Sequence, residues 1–498
     1  MTKLLFFILF LSGPIFVFGQ TRLDSMISVG KEYIFNFQFN DAEKIFNESI
    51  HSFPNSPLGY FYISKIHLWY YLGSNQDEEY QKFMLYSDSV FIKSEKLLEE
   101  EDNNYKIKYL IADNYLNRAT ALFKKGNSIE TFLTIKTAVS YYEEIRENDS
   151  DFYDTYLGLG IISYALSFVP EFLQWTLNLM GMDADKDKGI QYLKLSYKYG
   201  KTTKIESAFH LGKLYTEYIA DYDSAFFYLS MILTKYPNNS LFHYQYALLL
   251  MNKRDLEGAE KELKEVIRLN NDKFSQTSAF AKFLLAEIYF KKNEFNEALE
   301  YYNLFLNETT NIDYTGIASY NLAICYLFLE LNNEYKKHLM LARNGNLNIL
   351  DDVYAKRRSE IIFSKNISEF QKKIILSKND IYNAKYDSAY NRLISILDYL
   401  DSDDLKGEAL IIISESLIEM GRYNESLKYL NNISFEEEKW IEPLSYYLLA
   451  RVYLEQKQIE LVHDNIEKAE SANNFDFRDK ISPKINYIKN IAVSDKNN

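Results

Sequence analysis

ESAFHLGKLYTEYIADYDSAFFYLSMILTKYPNN (206–239), SLFHYQYALLLMNKRDLEGAEKELKEVIRLNNDK (240–273) and FSQTSAFAKFLLAEIYFKKNEFNEALEYYNLFL (274–306) are consecutive stretches that carry one pattern three times. A small residue at Gly212, Ala247 and Ala286 is followed three positions on by Tyr215, Leu250 and Tyr289. A large apolar residue then precedes a second small one, as Tyr222 and Ala225, Leu256 and Ala259, Phe295 and Ala298, and Leu229, Leu263 and Tyr302 close the units. The second alanines lie 34 and 39 residues apart. A period of that size is the length of a helix pair repeated in tandem. The small residues let two helices approach closely, and the large ones fill the space between successive pairs.

This pattern resembles the tetratricopeptide repeat. Upstream, Gly30, Tyr33, Phe39, Ala42, Phe46, Ser49 and Pro54 occupy the corresponding small, ring and terminating positions, the proline falling where a helix cannot continue. The resemblance implies an all-α fold, a right-handed superhelical solenoid of antiparallel helix pairs. Composition points the same way. In 498 residues there are only 17 Gly and 7 Pro against 47% hydrophobic residues, a balance that favours helices with short connections. Stacked repeats also remove the need to divide so long a chain into several globular domains.

Around the central array, 201–345, the sequence predicts a degenerate N-terminal array at 20–200. There the repeat is interrupted by an inserted helix near 169–181, where Pro170 restarts an apolar run. A polar break is expected at 346–365, followed by a C-terminal array at 366–498 that ends in a capping helix. Gly158, Gly160, Ser167, Pro170, Gly181, Asp185, Gly189 and Leu193 form a further series. Over 157–193 it resembles the eukaryotic inclusion-body-clearance family of tetratricopeptide proteins. That resemblance implies a helical-repeat scaffold and supplies no catalytic residues.

The first residues read differently. Lys3 precedes an apolar run at 4–11, Gly13 and Pro14 interrupt it, and 15–18 lead to Gly19. This is the plan of a secretory signal, with cleavage expected after Gly19. The run is too short to span a bilayer, and no cysteine follows to take a lipid. The mature chain (20 onward) is therefore expected to be exported, periplasmic in a bacterial cell, without stable membrane insertion.

Little in the sequence points to chemistry. A net charge of −14 and a pI near 5.2 disfavour nucleic acid, whose binding draws on clustered Lys and Arg. The single cysteine, Cys325, forms neither a disulfide nor a cysteine-based zinc site by itself. The six histidines are scattered, and neither an HExxH motif nor a Gly-x-Ser-x-Gly elbow occurs. Asp183, Asp185 and Asp187 resemble the start of a calcium loop, but Lys188 and Lys194 stand where its glycine and glutamate belong. An acidic turn capping the next helix is expected instead. No enzyme, cofactor or metal is expected. Lys356, Arg357 and Arg358, beside the break, read either as a solvated helix end or as a receptor for an acidic partner.

The groove carries the remaining signal. Three positions before each small residue stand Phe209, Tyr244, Phe283 and Tyr320, a ring in four consecutive repeats. With Leu248, Met251 and Phe290 they compose an aromatic and apolar column instead of the Lys and Asn rows of carboxylate-clamp repeats. Rings left in water forfeit about 1.5 to 3 kcal/mol each, so either a partner covers them or they pack on one another. The expected function is an exported, non-enzymatic scaffold that binds a protein segment, either an apolar extended peptide or a helix, in this groove. A glycan-binding outer-membrane-associated protein on the same repeats is the alternative; only three Trp argue against it. Nothing in the sequence sets an oligomeric state.

Overall fold

The computed structural model describes residues 21–169, 177, 181–182, 184–365 and 367–496. The expected signal at 1–19 with its cleavage after Gly19, most of the inserted helix near 169–181, and Asp183 lie outside them. Among the described residues helix follows helix and no strand occurs. Two compact units are formed. The first comprises Met1–Leu211, Tyr228–Phe242 and Leu269–Thr277, and the second Gly212–Phe227, His243–Arg268 and Ser278–Asn498.

Within each unit, sequence neighbours pair as antiparallel helices. In the first, Tyr105–Lys124 packs on Ser128–Asn148, Pro57–Ser74 on Asp77–Glu100, and Thr155–Leu166 on Lys186–Tyr199. In the second, Thr315–Phe328 packs on Asn332–Leu341, Asp403–Glu419 on Tyr423–Leu430, and Ile441–Glu455 on Ile459–Ser471. The small positions are where the helices touch. Ala42, Ala225, Ala259, Ala298 and Ala389 are fully buried. Gly30 and Gly158 are tighter still, since a Cβ at either would lie 2.3 Å from the ring of Phe46 or Tyr142. Alanine cannot stand there without displacing the ring that fills the repeat.

The turn inside the pair is one conformation used repeatedly. Phe37, Gly126, Arg254, Asn293, Glu330, Ala384, Gly421 and Lys457 all have positive φ, each two residues before the next helix. Each donates its N–H three residues back, and the following N–H reaches five residues back, as Lys457 to Leu454 and Gln458 to Tyr453 at 2.9 Å. This is the paired hydrogen-bond closure of a helix C-terminus, which satisfies carbonyls the helix itself leaves open. Glycine takes the left-handed position in only two of the eight, although a side chain there costs about 1–2 kcal/mol. At three positions the side chain has a task, the ring of Phe37 being buried 4.7 Å from that of Phe274. Arg254 pairs with Glu415 and, at 3.3 Å, with Glu419, and Asn293 accepts from Asn379 at 2.7 Å.

Within 346–365, which the sequence reads as a break, Leu350–Lys365 is helical. Asp352, fully buried, accepts from the backbone N–H groups of Ile317 and Asn346 at 2.8 Å each, stitching the stretch to the helix Thr315–Phe328.

Lys457 is exposed and its side chain is not needed by the turn. Lys457→Gly is expected to stabilise the pair Ile441–Glu455 and Ile459–Ser471 by about 1 kcal/mol, read as roughly fivefold slower amide exchange there. Gly421→Ala, whose Cβ would meet nothing within 4 Å, should weaken its own pair by a similar amount through backbone conformation alone.

Candidate functional site

The seven residues of the expected column do not share one environment. Phe209 belongs to the first unit, half-buried, its ring 5.6 Å from that of Phe242. The other six lie in the second unit. Phe283 and Tyr320 are only 7% and 6% exposed. Phe283 meets Phe305 at 5.1 Å and Tyr314 at 5.4 Å, while Tyr320 stands edge-on to Tyr354 at 6.0 Å. These two rings are core, held by rings from the second helix of the pair, from the connection that follows it and from the helix Leu350–Lys365. Tyr244, Leu248, Met251 and Phe290 stay half-buried, packed on the same core. They form an apolar edge with surface still open.

Polar side chains are set among them. Glu217 accepts from Lys213 at 3.1 Å and from Gln245 at 2.9 Å. Glu287 accepts from Lys291 at 2.8 Å, from Asn321 at 2.7 Å and from the hydroxyl of Tyr302. Burial works to raise the Glu287 pKa, but Lys291 and these hydrogen bonds outweigh it and hold the carboxyl below its ordinary range. Asn379 donates to the carbonyl of Phe290 at 2.8 Å, completing the end of the helix Ser275–Lys291. Farther along, Arg254 and Arg451 bracket Glu415 and Glu419, with Arg451 3.2 Å from Glu419.

A helix of the chain itself begins beside the same core, on which Phe477 packs. Phe477, at φ 62, places its ring 4.6 Å from Tyr354 and 6.4 Å from Trp440. From there Arg478–Lys496 begins. One side of it buries Ile481, Ile485, Ile488 and Ala492 against the core of Ile441–Glu455 and Ile459–Ser471. It also packs on the π-helical turn Tyr215–Ile219. Lys480 and Lys484, one turn apart, flank that buried stripe. Burial disfavours the Lys480 ammonium, but an ion pair with Asp351 and the charges of Asp479 and Glu287 raise its pKa.

The basic cluster finds its acid within the chain. Arg357 forks onto Glu438 at 3.0 and 2.7 Å and reaches Asp476 at 2.6 Å. Arg358 joins at 2.8 Å and the indole N–H of Trp440 at 2.7 Å. Glu438 is 3% exposed, so this is a buried network and neither a solvated helix end nor an open receptor. Asp185 likewise spends its carboxylate locally, accepting from the N–H groups of Asp187 and Lys188 at the start of Lys186–Tyr199.

The first unit holds a cluster that spacing arguments miss. Lys65 pairs with Glu206, and Tyr142 donates to Asp113. The available signal was Lys65, the only Asp, Glu, Lys or Arg in the apolar helix Pro57–Ser74, and Asp113, the only acid in Tyr105–Lys124. Burial pushes the Asp113 pKa up to about 6, against the opposing pull of Lys65 and Tyr142. No described helix is long and apolar enough to cross a membrane.

Comparisons with known proteins add the following. A family model for Iml2/Tetratricopeptide repeat protein 39 matches residues 80–347. A comparison with curated proteins returns no match. Among solved structures, yeast Tom70 is 14% identical over 96% of this chain and 97% of that one, with a TM-score of 0.26. The P58(IPK) TPR domain is 12% identical over 96% and 100%, with a TM-score of 0.22. A tetratricopeptide repeat protein from Parabacteroides merdae ATCC 43184 is 15% identical over 57% and 98%, with a TM-score of 0.23. Scores this low support no argument about sites.

Asp113 binds its proton more tightly folded than unfolded, so its contribution to stability is full below about pH 4 and is lost as pH rises through about 6. Asp113→Asn removes that loss while keeping an acceptor for Tyr142. Its stability advantage over wild type should grow from near zero at pH 4 to about 2–3 kcal/mol at pH 7, measured by urea unfolding across that range.

Proposed function

The matched segment covers more than half of the sequence, so the chain belongs to the Iml2/Tetratricopeptide repeat protein 39 family, and on that premise we propose that it is an exported, non-enzymatic helical-repeat scaffold that holds a segment of another protein. The segment is an apolar extended peptide or a helix, and it lies against Tyr244, Leu248, Met251 and Phe290, with Phe283 and Tyr320 packed behind them. The observation that carries this reading is the unfinished apolar edge of the second unit, where half-buried rings and a methionine stand beside satisfied carboxylates. Adaptable methionine and amphipathic rings are the side chains that suit a surface for another chain. Helical-repeat scaffolds use such faces for peptides and helices through side-chain anchors at helical spacing.

Export is supported by Lys3, the apolar run at 4–11 and Gly19, and would deliver the mature chain to the periplasm of a bacterial cell. Fractionation with N-terminal sequencing should find the chain outside the cytoplasm beginning at Gln20; a cytoplasmic chain that retains Lys3 would sink the proposal.

The face is tested by cross-linking in the native envelope. Tyr244→Ala with Phe290→Ala should reduce recovery of the cross-linked partner by about tenfold or more, two partly buried anchors being worth about 1.5–3 kcal/mol each. The helical circular-dichroism signal should not change. Equal recovery by both proteins rejects this face.

A further inference from the structure

The helix Arg478–Lys496 is held firmly at its start and weakly beyond it. The connection before it is pinned, with Phe475 buried, Asp476 paired to Arg357 at 2.6 Å and the Phe477 ring 4.6 Å from that of Tyr354. Two residues of that connection, Asn474 at φ 56 and Phe477 at φ 62, take the left-handed conformation without being glycine. Strain of this kind persists where the surroundings hold it, and switch segments are such places. Inside the helix, Pro483 has no N–H for the carbonyl of Asp479, and its ring crowds that carbonyl. A proline in a helix interior is a common site of bending.

The rest of the hold is the stripe Ile481, Ile485, Ile488 and Ala492, together with ion pairs near solvent. Lys480, with 54% of its side chain exposed, meets Asp351, whose Oδ2 has no hydrogen-bond partner among the described residues. Lys489 reaches Glu470 at 2.8 and 2.9 Å. Pairs so exposed hold weakly. The surface on which the helix lands is irregular too. Tyr215–Ile219 is a π-helical turn that follows Leu214 and ends at Ala220, itself at φ 59. Single π turns of this kind interrupt the regular hydrogen-bond ladder and recur at functional sites. Glu217, within the turn, accepts from Gln245 at 2.9 Å. The turn is thereby bonded to the helix Ser240–Asn252, which carries Tyr244, Leu248 and Met251.

We infer that Arg478–Lys496 is a strap that opens as a unit of its own, hinged between the pinned connection and Pro483, while Ile441–Glu455 stays paired with Ile459–Ser471. Closed, it braces the π turn and, through Glu217 and Gln245, the apolar edge. Open, it frees that edge to adjust to a guest. This last step rests on the reading of the edge as a protein-binding face and adds its regulation, since a segment that prefers the loosened edge shifts the strap toward its open state.

Amide exchange of the full chain tests the strap without any partner. Residues 484–496 and 215–219 should exchange together, roughly tenfold faster than 441–455 and 459–471. Pro483→Ala returns the missing donor and should slow both segments severalfold. Lys480→Glu sets like charges together and should speed both roughly tenfold, with the rates at 441–455 and 459–471 unchanged. Exchange of the helix at the rate of the pair beneath it, or variants that move the helix without 215–219, overturns the strap. In the native envelope, Lys480→Glu should then raise recovery of the cross-linked partner severalfold and Pro483→Ala should lower it. Altered exchange with unaltered recovery, where Tyr244→Ala with Phe290→Ala still loses the partner, overturns the regulation and upholds the face. Equal recovery by wild type and that double variant overturns the face and the regulation together.

Discussion

A single methylene is the tolerance of this fold. At Gly30 and Gly158 an added Cβ would lie 2.3 Å from the ring of Phe46 or Tyr142, and the alanines at the facing positions have no exposed surface. Close approach at those points makes the rings effective fillers, because a ring fits only where its neighbour is small. The same closeness demands a short, reproducible reversal of the chain. The repeated left-handed turn supplies it, satisfying the last carbonyls of one helix while aiming the next helix back along it. Pairing, ring placement and turn geometry are therefore one constraint seen at three sites.

Most of that constraint is legible in the sequence. The alternation of Ala or Gly with Tyr, Phe and Leu at 206–306 is sufficient to expect paired helices, and the series at 157–193 falls inside the stretch matched by the family. The turns are less legible. Arg254, Glu330 and Lys457 adopt a conformation for which propensity would demand glycine, and at Arg254 the reason is a tether to Glu415, 161 residues away. The column was legible as a face but not as an environment. Counting from the small residue identifies Phe283 and Tyr320 correctly as ring positions, yet their neighbours lie outside the repeat pattern, Tyr314 in a connection and Tyr354 in the helix Leu350–Lys365 that the sequence reads as a break. Period alone cannot place residues that lie outside it.

Charge behaves similarly. The chain is strongly acidic, and its net charge says nothing of how the individual groups are spent. Arg357 and Arg358 are a basic run by sequence and a buried fork around Glu438 in space, 81 and 80 residues distant. A network of this kind contributes modestly to stability, because desolvation offsets much of its Coulomb energy. What it does impose is register, since moving the helix Leu350–Lys365 by one turn would take both guanidinium groups away from the buried Glu438 carboxylate and leave its charge unpaired.

The helix Arg478–Lys496 has a bearing on when the second unit can form. It follows every other described helix of that unit in chain order, yet it packs on Tyr215–Ile219, made roughly half a chain length earlier, and covers the core of Ile441–Glu455 and Ile459–Ser471. Synthesis proceeds from the N-terminus, and domains fold as their parts become available. Until Ile481, Ile485 and Ile488 have emerged from the ribosome, the unit lacks the side chains that seal it. Order of synthesis thus acts as a timer, keeping the second unit unlocked through most of its own translation.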